Sequence, residues 1–252
     1  MEHYDLIVIG GGPSGYAGAM RALDFKKKVL LIEKKRIGGA GVYDGVLTSK
    51  TLWELSQKVS SIREMIPDYQ VDYSNIVSTL KEAVFERKTQ MTVHLNLLQK
   101  QQANLFSYDK GTAYFVDKNT IEIKKEDGSV RRVSADNILI ATGSRPRYLP
   151  HIAIDEQIIM TSDGVKNLTD LPESLVVLGA GVIGCEFATI FSNMGRTKVY
   201  LIDKADRILP FEDEDVATII SESLEKHGAT WADKRRAKVS DAKVAKTKKA
   251  EA

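Results

Sequence analysis

Two glycine-rich segments have the residue types and spacing that dinucleotide binding requires. They share the pattern G-x-G-x-x-G, one at Gly10–Gly15 and the other at Gly179–Gly184. Each follows a run of apolar residues and precedes small residues, which predicts a strand, a tight turn and the start of a helix. Glycine permits the turn and the close approach of a pyrophosphate, and the helix N-terminus offers free N–H groups and partial positive charge. Two such units predict two bound dinucleotides.

An acidic residue ends the second apolar run of each unit. Glu33 and Asp203 stand at nearly equal distances from their glycines. A carboxylate at this place accepts hydrogen bonds from a ribose. The negative charge of Asp203 disfavours the 2′-phosphate of NADP and so predicts a preference for NAD, although Lys204 and Arg207 nearby weaken this preference.

The hydrophobic pattern predicts an α/β protein that opens with a strand, a turn and a helix reaching about Lys26. Two predicted helices are followed by a stretch of predicted strands, in which Asp127–Gly128 predicts a hairpin turn. Asp136–Ile140 predicts a buried strand that enters a glycine-containing turn. The other predicted elements are helices over Ser49–Ile66 and from about Ser74 to Ala103, and strands over Gly111–Val116, Thr120–Lys125 and Val130–Val133.

Composition narrows the class of protein. Hydrophobic residues make up 43% and charged residues 28% of the 252 residues, as in ordinary globular proteins. No apolar run approaches the roughly 20 residues that span a bilayer, so we expect a cytoplasmic protein with no signal peptide and no membrane span. Cys185 is the single cysteine and the four histidines are scattered, so we expect no disulfide and no metal site.

Positive charge is concentrated near the C-terminus. Residues 231–252 contain eight Lys/Arg and three Asp/Glu, so the remaining chain has a net charge of −3 within the overall +2. Such a tail could contact nucleic acid or an anionic surface. Because Trp231 is its one aromatic residue, we expect a solvated, disordered tail and no nucleic-acid partner.

From Tyr4 to about Ala229 the chain closely resembles the flavin-dependent pyridine nucleotide–disulfide oxidoreductases, especially their dihydrolipoamide dehydrogenase branch. The first fingerprint with Glu33 is similar to that family's FAD site, and Ile140–Ser144 to its A-T-G segment. The second fingerprint with Asp203 resembles its NAD site. The resemblance implies a Rossmann-like, three-layer FAD-binding domain and a second, incomplete Rossmann NAD-binding domain, with FAD and NAD(H) or NADP(H) as cofactors.

Two further matches imply catalytic residues. Ser49-Lys50 is similar to the family's Ser-Lys pair on the helix beneath the flavin, whose lysine lies near the flavin N5 atom. Cys185–Ala188 is similar to the segment after the second fingerprint, whose glutamate pairs with that lysine and borders the nicotinamide pocket. The resemblance therefore implies that Lys50 stabilises negative charge on reduced flavin and that Glu186 orients it.

The loop before Lys50 departs from the family pattern. The family has G-G-T-C, four residues, C and I-P-S-K, and its two cysteines carry electrons from flavin to a disulfide. Here Gly41 and Val46 stand at the cysteine positions, and neither can form a mixed disulfide. We interpret Cys185 as a small core residue. Disulfide reductase activity is therefore not expected, and the electron acceptor would be diffusible: a quinone, oxygen, another nicotinamide or a redox protein.

The resemblance also predicts domain boundaries. We expect an FAD-binding domain over residues 1–150, a partial NAD-binding domain over 151–230 and the basic tail over 231–252, because the family pattern ends inside the NAD domain. The leading interpretation is an oxidoreductase that transfers hydride from NAD(P)H to FAD and on to a non-disulfide acceptor. The alternatives are a truncated, non-catalytic nucleotide-binding remnant and one half of a split flavoenzyme. A homodimer, or a partner that supplies the C-terminal half, stays open.

The predicted site residues fall into two groups. Lys50 and Glu186 are the predicted catalytic residues. The predicted cofactor-binding residues are Gly10, Gly12, Pro13, Ser14, Gly15, Glu33, Lys34, Gly39, Lys50, Ala141, Thr142, Gly143, Gly179, Gly181, Val182, Ile183, Gly184 and Asp203.

Overall fold

The computed structural model describes residues 1–232 and divides the chain into two compact units. The first contains Met1–Thr48 and Ser78–Asn167, and the second contains Ser49–Val77 and the chain from Leu168. Each unit contains one glycine fingerprint. The domain boundaries expected from the sequence stay predictions, and residues 233–252 of the predicted tail lie outside the described residues.

Helices and strands alternate through most of the described chain. In chain order they are β1 (Glu2–Ile9), α1 (Pro13–Asp24), β2 (Val29–Glu33), α2 (Gly39–Val42), α3 (Val46–Met65), α4 (Tyr73–Gln101), β3 (Phe106–Lys110), β4 (Thr112–Phe115), β5 (Thr120–Lys124), β6 (Val130–Ile140), β7 (Ser174–Leu178), α5 (Val182–Met194), β8 (Lys198–Ile202), α6 (Glu214–Lys226) and β9 (Thr230–Ala232). The first two residues of the predicted tail, Trp231 and Ala232, belong to β9.

The first unit is built on a six-stranded sheet in the order β3-β2-β1-β6-β5-β4. Strands β3, β2, β1 and β6 run parallel, and β5 and β4 are antiparallel to their neighbours. Every residue of β2 is buried because both faces of the sheet are covered. Leu31 packs with Ala19 of α1 and Met91 of α4 on one face, whereas Leu30 packs with Ile121 of β5 on the other.

Strand β6 is one continuous strand where the sequence pattern predicts two. Its first part pairs antiparallel with β5, from Val130 opposite Lys124 to Ser134 opposite Thr120. Its later part pairs parallel with β1 and ends with Ile140 opposite Ile9. The expectation of a buried strand over 136–140 is wrong, since Ile140 is 64% exposed. Strand β3, which the sequence pattern missed, adds a parallel edge next to β2.

The second unit contains a three-stranded parallel sheet in the order β7-β8-β9. Helix α5 connects β7 to β8, and α6 precedes β9, so the unit repeats the strand–helix–strand arrangement of the first. The helix α5 is largely buried, and Asn193 near its end donates to Ser56 of α3 at 3.4 Å. Together the two units confirm the predicted α/β class with Rossmann-like units.

Candidate functional site

The first fingerprint forms a tight turn between β1 and α1. Gly10 has a φ of +108°, and a Cβ there would lie 2.2 Å from the carbonyl oxygen of Ala141. Gly15 packs just as closely, since its Cβ would lie 1.8 Å from the Gly10 oxygen. By contrast, a Cβ on Gly12, the residue that caps α1, would meet no atom within 4 Å. The turn is therefore closed on its inner side and open at the helix N-terminus, where a pyrophosphate would approach.

Glu33 fixes this turn through the backbone. Its Oε2 atom accepts a hydrogen bond of 2.7 Å from the Gly11 N–H, and its Oε1 atom accepts one of 2.7 Å from the Lys35 N–H. Each carboxylate oxygen accepts about two hydrogen bonds, so both retain capacity for a ribose hydroxyl. Lys34, between these partners, is exposed.

Other predicted residues of the first site lie against the same turn. The Ala141 N–H donates to the Ile9 oxygen at 2.8 Å, which brings Ala141–Gly143 beside the end of β1. A Cβ on Gly39 would lie 3.2 Å from the Gly12 Cα. The structure thus brings three separate chain segments to one helix N-terminus, where Pro13 and Ser14 are exposed.

The second fingerprint repeats this geometry in the second unit. Gly179 has a φ of +110°, and a Cβ on Gly184 would lie 1.8 Å from the Gly179 oxygen. A Cβ on Gly181, the cap of α5, would meet no atom within 4 Å. Val182 and Ile183, in the first turn of α5, are exposed. The N-terminus of α5 is therefore as open as that of α1.

Asp203 occupies the position that Glu33 has in the first unit. Its Oδ2 atom accepts from the Ala180 N–H at 2.8 Å, and its Oδ1 atom accepts from the Ala205 N–H at 2.9 Å. Burial acts to raise the pKa of Asp203, but these two N–H groups and Lys204 outweigh it and hold the pKa below its ordinary value. Asp203 is consequently an anion at neutral pH.

Lys50 and Glu186 form an ion pair within the second unit. The Lys50 Nζ atom donates to the Glu186 Oε1 atom at 2.7 Å, between α3 and α5. The Glu186 side chain is only 14% exposed, whereas that of Lys50 is 61% exposed. The carboxylate is thus held by the fold and directs a solvent-accessible ammonium group.

The segment from Gly38 to Lys50, which contains α2 and the start of α3, carries no thiol. A Cβ on Gly41 would lie 2.4 Å from the Pro13 Cγ atom, so a cysteine there would require α2 or Pro13 to shift. Val46 begins α3 and is exposed. Cys185 is buried and its Sγ lies 3.5 Å from the Ala180 oxygen, and burial raises its pKa to about 11. Its thiol is therefore protonated at neutral pH.

A second pair of hydrogen bonds, here called the anchors, fixes the two turns, and the sequence patterns did not predict them. The Gly38 N–H donates to the Gly11 oxygen at 2.8 Å, and the Leu209 N–H donates to the Ala180 oxygen at 2.7 Å. Arg207, considered above as a cation near a ribose, instead donates to backbone oxygens in its own loop. Since the two anchors join backbone groups, no residue type marks them in the sequence.

The model of the family described as pyridine nucleotide-disulphide oxidoreductase matches residues 4–251. This chain belongs to that family. Members similar to it include a dihydrolipoyl dehydrogenase of Bacillus subtilis, 37% identical over 88% of this chain and 49% of the relative. A soluble pyridine nucleotide transhydrogenase of Vibrio cholerae is 35% identical over 87% of this chain and 47% of the relative.

Two solved structures have folds similar to that of this chain. LpdA from Mycobacterium tuberculosis is 27% identical, with a TM-score of 0.79 over 92% of this chain and 51% of that one. A copper complex of the Escherichia coli flavoprotein disulfide reductase RclA is 26% identical, with a TM-score of 0.76 over 92% and 49%. The chain spans about half the length of the curated relatives that it matches. Within residues 1–232, no helix is both long and apolar enough to cross a membrane.

Proposed function

We propose that this chain supplies the two dinucleotide sites of an FAD-dependent oxidoreductase that transfers hydride from NAD(P)H to FAD and on to a non-disulfide acceptor. The observation that carries the proposal is the repeated turn. In each unit the same arrangement is formed by an open helix N-terminus, a last glycine packed against the oxygen of the first glycine, and a carboxylate bound to the turn. Family membership supports the assignment of FAD to one site and a nicotinamide dinucleotide to the other.

The first turn is the proposed FAD site. The N-terminus of α1 would receive the pyrophosphate, and Glu33 would accept hydrogen bonds from the ribose. The flavin, when bound, supplies the two-electron chemistry that links oxidation of NAD(P)H to reduction of the acceptor. Gly39 and Ala141–Gly143 would border the cofactor because they lie against the same turn.

The second turn is the proposed nicotinamide dinucleotide site, with NAD(H) preferred over NADP(H). Asp203 is an anion with a lowered pKa, and an anion at the ribose repels a 2′-phosphate. The guanidinium of Arg207 donates to three backbone oxygens, so it is engaged within its loop. These two observations together favour NAD.

Lys50 and Glu186 are the proposed catalytic pair. Glu186 is nearly buried and accepts a 2.7 Å hydrogen bond from Lys50, so it limits the positions that the ammonium can adopt. An ammonium held in this way stabilises negative charge that develops nearby, which is the role proposed for Lys50 beside reduced flavin.

The proposed acceptor is diffusible, and a second nicotinamide dinucleotide is the first candidate to test. Transfer to a disulfide substrate requires thiols that Gly41 and Val46 cannot provide, and the Cys185 thiol is buried. The name of the Vibrio cholerae relative, a transhydrogenase, supports this candidate. Quinones, oxygen and redox proteins are the other acceptors to compare.

A second candidate function is that of one half of a split flavoenzyme, or of a non-catalytic nucleotide-binding remnant. One observation favours it: Val176 and Leu178, on the same face of β7, are 53% and 58% exposed. Apolar side chains exposed on a sheet face favour contact with a further polypeptide.

The visible absorbance spectrum of the purified chain, before and after anaerobic addition of NADH, tests the proposal. Flavin bands that bleach with NADH, followed by recovery on adding an oxidised nicotinamide analogue but not lipoamide, are the expected result. A chain that stays colourless after incubation with FAD would contradict the enzyme proposal. Recovery of flavin binding on adding the C-terminal half of the Bacillus subtilis relative would then favour a split enzyme over a remnant.

A further inference from the structure

The middle residue of each fingerprint turn is hydrogen-bonded through both its N–H and its carbonyl oxygen. In the first unit, the Gly11 N–H donates to Glu33 at 2.7 Å, and the Gly11 oxygen accepts from the Gly38 N–H at 2.8 Å. In the second, the Ala180 N–H donates to Asp203 at 2.8 Å, and the Ala180 oxygen accepts from the Leu209 N–H at 2.7 Å. Each turn is therefore held by a loop that returns to it after the acidic residue.

The two returning loops differ in the residue whose N–H donates to the turn. Both donors have left-handed backbone, with a φ of +100° at Gly38 and +48° at Leu209. Glycine adopts this conformation without cost, but in leucine the Cβ opposes it. The second turn thus depends on a strained residue where the first uses glycine.

Arg207 cross-links the loop that contains the strained leucine. Its Nη1 atom donates to the Leu209 oxygen at 2.9 Å, and its Nη2 atom donates to the oxygens of Pro210 at 3.3 Å and Glu212 at 2.7 Å. A planar guanidinium can satisfy several carbonyls at once, and these bonds hold the Leu209–Pro210 peptide together with the peptides that follow Pro210 and Glu212. The first unit has glycine at the corresponding position and needs no such cross-link.

We propose that Arg207 is a positioning residue for the second dinucleotide site. It holds Leu209 in the left-handed conformation, so that the Leu209 N–H anchors Ala180 and fixes the turn that receives the pyrophosphate. The inference rests on the proposed nicotinamide dinucleotide site. Arg207 acts on the turn in the same way whether or not the ribose carries a 2′-phosphate.

Dissociation constants of the full-length chain for NADH and NADPH, measured by fluorescence titration, provide the first test. Removing the cross-link should weaken binding of both nucleotides by roughly tenfold in Arg207→Ala, the factor that corresponds to the cost of left-handed leucine. Arg207→Lys should behave like the alanine variant, because one ammonium cannot replace a fork of donors. Affinity for FAD should not change, and Lys226→Ala, which removes an exposed positive charge of α6, is the matched control.

The decisive comparison uses the rescue variant Leu209→Gly, because glycine removes the strain that Arg207 opposes. In the Leu209→Gly background, Arg207→Ala should change the NADH dissociation constant by less than about twofold. An equal loss in both backgrounds would overturn the proposal. A loss confined to NADPH would also overturn it, because Arg207 would then be a ligand of the 2′-phosphate.

Amide hydrogen exchange separates this inference from the proposed function. The amides of Leu209 and Ala180 should exchange faster in Arg207→Ala than in the wild type, and Leu209→Gly should suppress this difference. If the wild-type chain does not bind NADH at all, the proposed nucleotide site is wrong, while the exchange data still decide the positioning role. Unchanged exchange in Arg207→Ala would refute that role.

Discussion

The two residues of the Lys50–Glu186 pair differ in burial, and this difference bears on the role proposed for each. Glu186 is held inside the second unit, and removing Lys50 would leave its carboxylate without its partner. The Lys50 side chain remains accessible, and its ammonium group stays in contact with solvent. The exposed member is therefore the one that can meet a cofactor.

We expect Lys50→Ala to retain FAD but to slow its reduction by NADH by about tenfold to hundredfold, because one electrostatic contact to developing charge is lost. Stopped-flow absorbance under anaerobic conditions measures this rate. Lys58→Ala, another exposed lysine of α3, is the control and should leave the rate unchanged. An unchanged rate in Lys50→Ala would remove this residue from the mechanism.

Cys185 is expected to be chemically inert in the folded protein. Its pKa is raised to about 11 by burial, so the nucleophilic thiolate is scarce at neutral pH and becomes common only as the pH approaches that value. Labelling with iodoacetamide, followed by mass spectrometry, should therefore be slow at pH 7.5 and fast after unfolding in guanidinium. Rapid labelling of the folded chain at pH 7.5 would contradict the buried thiol.

At the scale of single elements, the glycines at the N-termini of α1 and α5 differ from those inside the turns in whether the fold requires them. A Cβ on Gly12 or Gly181 meets no protein atom within 4 Å, whereas a Cβ on Gly15 would lie 1.8 Å from the Gly10 oxygen. The backbone of Gly12, with φ −72° and ψ −176°, is also accessible to alanine. The fold therefore does not require glycine at these caps, and the proposed reason for glycine there is space for a dinucleotide.

We expect Gly12→Ala to leave the free energy of unfolding of the apo chain unchanged or to raise it by about 0.4–1 kcal/mol. The same substitution should weaken FAD binding at least tenfold, because the added Cβ occupies the space of the pyrophosphate. Gly181→Ala should do the same for NADH and leave FAD unaffected. Differential scanning fluorimetry and nucleotide titrations measure both effects. Gly15→Ala is the contrasting variant and should destabilise the fold itself. Loss of FAD binding in Gly181→Ala would show that the sites are assigned to the wrong units.

At the scale of the whole molecule, one face of β7 leaves apolar side chains exposed. Val177 faces α5, since a Cβ on Gly184 would lie 3.4 Å from its Cγ1 atom. The alternate residues Val176 and Leu178 are more than half exposed. A strand with one covered and one uncovered apolar face favours association.

This surface predicts self-association of the isolated chain that increases with concentration. Size-exclusion chromatography with light scattering over a hundredfold range of concentration measures it. Replacing Val176 and Leu178 by lysine should shift the population toward monomer, because charged side chains oppose burial. Ile219→Lys, a similarly exposed site on α6, is the control. A wild-type chain that is monomeric throughout would contradict the prediction.

Local sequence was sufficient for features that depend on residue type and short spacing. Both fingerprints, the β1–α1 and β7–α5 units and the α/β class could be predicted, because glycine at a tight turn and an apolar strand leave a direct local signal. The absence of thiols at Gly41 and Val46 likewise follows from residue identity alone. The resemblance to the family added Lys50 and Glu186, which no local pattern distinguishes from ordinary helix residues.

Only the tertiary structure decided the features that depend on long-range contact. Strand β6 is continuous because it pairs first with β5 and then with β1, and its last residues, which pair with β1 alone, are not buried. The pattern of apolar residues does not encode this change of partner. The contact between Gly41 and Pro13 and the bond from Leu209 to Ala180 join residues far apart in the chain. The role of Arg207 depends on a backbone angle and three carbonyl positions. Such properties belong to the folded backbone, so no sequence pattern can specify them.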